Sequence, residues 1–64
     1  MIITITNIYS GNEKTFQGDD AKVRTELLAN YPFLTHYGHD SLNDDLAQLA
    51  NTQAYMVEME KWPE

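Results

Sequence analysis

The sequence predicts an α+β fold: one small β-β-α-α-β domain whose three-stranded sheet, in spatial order 2-1-3, carries two helices packed on one face. Three observations lead there. Segments near the two ends alternate apolar and polar residues with a period of two, as half-buried strands do. Two inner segments repeat their apolar residues every three to four positions, as helices with one buried stripe do. The chain has 64 residues, enough for one core and no more, and no repeat, low-complexity tract or linker divides it. Residues 1–64 therefore read as a single domain.

The first strand is expected from Ile2 to Tyr9. Ile3 and Ile5 share one face, and Thr4 and Thr6 share the other. Ile2 and Ile8 break this alternation, which suggests that both faces are partly covered. Ser10-Gly11-Asn12 reads as a turn, because Gly and Asn tolerate positive φ. Glu13 to Gln17 follows as a short second strand with Thr15 and Phe16 as its β-formers, and a hairpin is the simplest link between the two.

After Gly18, Asp19 and Asp20 offer an N-cap and suit the positive end of a helix dipole. Val23, Leu27 and Tyr31 recur at intervals of four, with Leu28 beside them. Pro32 biases Tyr31 away from helical backbone, so this helix should end near Asn30. Phe33 to Asp40 reads as an irregular, aromatic loop. Ser41 opens the second helix through an S-x-x-D cap on Asp44. Leu42, Leu46, Leu49 and Ala50 form its expected buried stripe, ending near Thr52. Ala54 to Lys61 is the last strand, with Tyr55, Val57 and Met59 on one face and Met56, Glu58 and Glu60 on the other. Pro63 cannot donate to a ladder, so Trp62-Pro63-Glu64 should leave the sheet. If every connection reverses the chain, the last strand runs parallel to the first.

Composition limits the functions. A chain this short buries only roughly 60% of its unfolded surface. The chain contains no cysteine, which rules out disulfides and Cys-based zinc sites and fits a reducing compartment. The residues after Met1 lack the basic region and cleavage site of a signal peptide, and no apolar run is long enough to span a bilayer. We therefore expect a cytoplasmic location. Ten Asp and Glu against four Lys and Arg give a formal charge of −6. That sign opposes direct binding to nucleic acid or to anionic membrane. It favours solubility or a protein partner with a basic surface.

Candidate sites are few. His36, His39 and Asp40 form an H-x-x-H-D string that resembles part of a metal site, but a further ligand is not evident. Capping or hydrogen bonding to backbone explains the string more simply, so no metal and no cofactor is expected. Catalysis needs a pocket of about 300–1,000 Å³ and poised acid, base or nucleophile groups. Ser10 and Ser41 are accounted for by turn and cap chemistry, and no Gly-rich phosphate loop is present, so the chain is not expected to be an enzyme. Tyr31, Phe33 and Tyr55 suit the core. Tyr37 and Trp62 lie in the loop and the tail, where a Tyr or Trp suits an interface. Asp40, Asp44 and Asp45 surround the second helix start, and Glu58 and Glu60 line the last strand. These carboxylates, with Tyr37 and Trp62, are the candidate partner-binding residues.

The expected function is that of a small acidic, non-enzymatic protein-binding module. One concrete version is an inhibitor of a nucleic-acid-binding protein, of the anti-defence (anti-CRISPR-like) kind used by phage and mobile elements. Its carboxylates would mimic phosphates. The first alternative is a self-associating structural or regulatory subunit, such as a homodimer, because an open sheet edge invites pairing and small cores often need a partner. The second is a small metal-binding protein using His36 and His39.

Overall fold

The computed structural model describes residues 1–60 and contains the expected sheet and both helices. Strand β1 spans Ile2–Asn7, β2 spans Glu13–Gln17 and β3 spans Tyr55–Glu60. Helix α1 covers Asp20–Asn30 and α2 covers Leu42–Asn51. The sheet order is β2-β1-β3, with the β-branched first strand in the centre. Trp62, Pro63 and Glu64, as well as Lys61, lie outside the described residues.

Local chemistry sets the element ends. The Asp19 side chain accepts a hydrogen bond from the Lys22 N–H at 2.8 Å, capping α1. Ser41 Oγ accepts from the Asp44 N–H at 3.2 Å, capping α2 as the S-x-x-D pattern predicts. The hairpin loop is longer than the three-residue turn expected, since β1 stops at Asn7. Asn7 Oδ1 accepts from the N–H groups of Tyr9 and Ser10, a side-chain turn that ends the strand. Gly11, at φ 78°, supplies the left-handed residue that closes the loop. Between the helices, Pro32–Tyr37 forms a 3-10 turn where an irregular loop was expected. Pro32 stands at its first positions, where a missing N–H costs nothing.

The core lies between the sheet and the helices. Ile3 and Ile5 from β1 and Phe16 from β2 are buried against Val23 and Leu27 of α1 and Leu42, Leu46 and Leu49 of α2. Leu34 plugs the layer from the 3-10 turn. Tyr31 is buried, and Phe33 and Tyr55 pack against this core, in keeping with the reading of these aromatics. The Tyr31 and Tyr55 rings meet edge to face at 5.1 Å, a favoured aromatic geometry.

Three expectations are corrected. First, β3 runs antiparallel to β1, pairing Ile3 with Met59 and Ile5 with Val57. The parallel expectation assumed a reversal at every connection. The links from β2 to α1 and from α2 to β3 are short and do reverse. The eleven residues Tyr31–Ser41 instead carry the chain back along α1. Asp20 and the Ser41–Leu42 pair accordingly line one cleft, together with Met1 and Met59. The two helices thus begin at the same end of the sheet. Second, among the described residues the helices cover one face of the sheet only, and Ile8, which lies beyond β1, is 52% exposed. Third, Ala50 is exposed, and Asp45 takes its place in the buried stripe.

Candidate protein-binding surface

Strand alternation decides what the uncovered side of the sheet displays. Since Ile3, Ile5 and Phe16 face the helices, their sequence neighbours face away. The registers set these outward residues in three cross-strand rows: Glu13, Thr6 and Met56; Thr15, Thr4 and Glu58; Gln17, Ile2 and Glu60. The β2 and β3 members are all exposed, and those of the central strand are half-buried by their neighbours. Thr4 and Thr15 hydroxyls face each other across the strands at 3.4 Å, a cross-strand pair of the middle row.

This face carries three carboxylates and, among the described residues, no cation. Lys14 is in register with Ile5 and so points to the helix side, while Lys22 and Arg24 belong to α1. Glu58 and Glu60 lie about 7 Å apart along β3, and β2 lies about 10 Å across from β3. The spacing of Glu58 and Glu60 is within the screening length of about 8 Å at physiological salt, so their fields overlap, whereas Glu13 stands one row beyond Glu58 on the far strand, about 12 Å from it and about 17 Å from Glu60.

The candidate residues named from sequence fall into four situations. Glu58 and Glu60 stand together on the open face. Tyr37, 51% exposed, Asp40 and Asp44 are exposed on the helix layer, at the 3-10 turn and the start of α2. The acidic groups therefore occupy two surfaces, not one. Trp62 falls outside the described residues. Asp45 is withdrawn as a partner contact because its side chain is 0% exposed.

Asp45 is instead a structural group. Its Oδ2 accepts from Arg24 Nε at 2.8 Å, and the Arg24 side chain is only 27% exposed. The Arg24 guanidinium also donates to the His39 carbonyl, tying α1, α2 and the connection between them. Among the described residues, buried Asp45 Oδ1 and His39 Nε2 have no hydrogen-bond partner. The His39 ring stacks on Tyr37 at 5.5 Å. Among the described residues, no three His, Asp or Glu side chains gather where they could hold a metal ion.

Sequence reasoning missed Glu13. The signal was available: Phe16 is the one large apolar residue of the second strand, and turning it inward turns Glu13 and Thr15 outward. Titration is perturbed at Tyr31, where burial pushes the phenol above its ordinary value of 10.0 and Tyr55 beside it adds to the rise. No family model matches this chain, and no curated protein or solved structure matches it significantly.

Proposed function

We propose that this chain is a non-enzymatic protein-binding module that offers the open face of its sheet to a basic partner surface. The reading rests on one observation: three glutamates share an uncovered face without a compensating cation among the described residues. A surface of one sign steers an oppositely charged partner and rejects like-charged ones. The sheet also fixes the backbone positions of these residues, so little backbone entropy is lost on binding. In its most specific form, the partner is a nucleic-acid-binding protein whose phosphate-binding groups the glutamates occupy.

The test is capture on immobilised protein, followed by elution in a salt gradient. The wild-type chain should retain a basic protein that salt releases. The Glu13→Gln, Glu58→Gln, Glu60→Gln triple variant should not retain it. Equal retention by the variant, or retention indifferent to salt, would remove the proposal.

Self-association is the second reading, and the sheet edges support it. β2 and β3 are both outer strands, and Met56 and Met59 of β3 are about half exposed. An uncovered outer strand can pair with a second copy. Sedimentation at two concentrations separates the readings, because a monomer at both would retire this one.

A further inference from the structure

We propose that the cleft between the hairpin loop and the carboxyl end of α1 binds a small oxyanion, through a carboxylate or phosphate group, with Lys14 as the charged contact. The cleft encloses about 210 Å³, below the range of about 300–1,000 Å³ typical of drug-sized ligands. Its size suits a ligand of few heavy atoms. Asn7, Ser10, Asn12 and Lys14 form its hairpin side, and Asn30 and Tyr31 form its helix side.

The internal hydrogen bonds of the cleft determine what it has left to offer. Three of its side-chain acceptors are already engaged, and the Asn12 side-chain amide, which can present its NH₂ as readily as its oxygen, has no hydrogen-bond partner among the described residues. Asn7 Oδ1 accepts from two backbone N–H groups, Ser10 Oγ accepts from the Asn12 N–H, and Asn30 Oδ1 accepts from Lys14 Nζ at 3.0 Å. The donors remain: the Asn7 NH₂, the Ser10 hydroxyl, and further N–H groups of Lys14, which has three. The phenol of Tyr31 adds an O–H whose proton burial helps to retain. A donor-rich wall calls for an acceptor-rich ligand.

Charge points the same way. Among the described residues, Lys14 lines the cleft and no carboxylate does, in a chain whose formal charge is −6. The carboxyl end of α1 opposes an anion, but its partial charge is only about −0.5 against the full positive charge of the ammonium. The Tyr31 ring, 5.9 Å from Lys14 Nζ, helps to hold the cation in place. Because Lys14 points to the helix side of the sheet, this site is independent of the open face and of any partner there.

Nuclear magnetic resonance titration of the whole chain tests the proposal. The probes are malonate and inorganic phosphate, each compared with sodium chloride at equal ionic strength. Saturable shifts confined to residues 7–14, 30–31 and Tyr55, which also lines the cleft, are expected with at least one of the two anions. Which anion saturates first separates carboxylate from phosphate. Lys14→Gln should weaken the response at least tenfold. Asn12→Asp should do the same by placing a negative charge in the cleft, at a residue that joins the loop's hydrogen bonds through its backbone. Should Lys14→Gln unfold the chain, Asn12→Asp carries the test. Shifts that chloride reproduces, or that survive in folded variants, would overturn the site.

Discussion

The two faces of the sheet are made by the same three strands yet differ in almost every property. Ile3, Ile5 and Phe16 are closed off by the helices, whereas Thr4, Thr6, Thr15 and Glu58 look outward. Because side chains alternate along a strand, each buried residue here has an outward neighbour. Stability and surface chemistry are therefore interleaved in sequence but separate in space. One set of positions can change without disturbing the other, provided that the register holds.

The sharpest challenge to this division is the polar group on the covered side. Arg24→Met leaves the Asp45 carboxylate fully buried without its cation, which should cost about 3–5 kcal/mol. Asp45→Asn should cost clearly less, because the partly exposed Arg24 can turn to water. Circular dichroism at room temperature should therefore show Arg24→Met largely unfolded and Asp45→Asn still folded, and equal losses of structure in the two variants would contradict the asymmetry. Leu27→Ala, at a residue with no exposed surface, should cost about 2–5 kcal/mol. A core of this size supplies only about 3–5 kcal/mol, so circular dichroism should show this variant largely unfolded at room temperature.

A smaller effect belongs to Tyr31. Its phenol holds its proton more tightly in the folded chain than in the unfolded one. The resulting stabilisation is complete below the ordinary value of 10.0 and is lost as pH rises through the higher folded value. Melting temperature should therefore fall on the alkaline side of pH 10, and Tyr31→Phe should flatten that fall. The smallest effect is expected on the open face. Each of Glu13→Gln, Glu58→Gln and Glu60→Gln should change stability by no more than about 0.5 kcal/mol. A larger loss from these three would break the separation of the two faces.

Much of this architecture was legible in the residues. Period-two alternation and turn chemistry located the strands, and the cap residues Asp19 and Ser41 placed both helix starts. The direction of β3 was not legible, because it depends on whether the connection around Pro32–Tyr37 reverses the chain. A short 3-10 turn has too few residues to show a period. Asp45 was misjudged because its charge suggested a surface position. Its spacing told otherwise: 42, 45, 46 and 49 form one i, i+3, i+4, i+7 stripe. A carboxylate on such a stripe requires a cation, and Arg24 is the chain's only arginine. The open face was half legible, since Glu58 and Glu60 were assigned to it while Glu13 needed the inward turn of Phe16 to be recognised.

The pairing of Ile2 with Glu60 has a consequence for biogenesis. The central strand gains its second neighbour only after the more than forty residues that separate Asn7 from Tyr55 have been synthesised. Until then the nascent chain holds at best a two-stranded ribbon, which is marginal alone in water, with the long edge of β1 open to foreign strands. Closing so large a loop late is slow compared with forming local contacts. The interval between synthesis of α2 and docking of β3 is thus when this polypeptide is most exposed to aggregation and proteolysis.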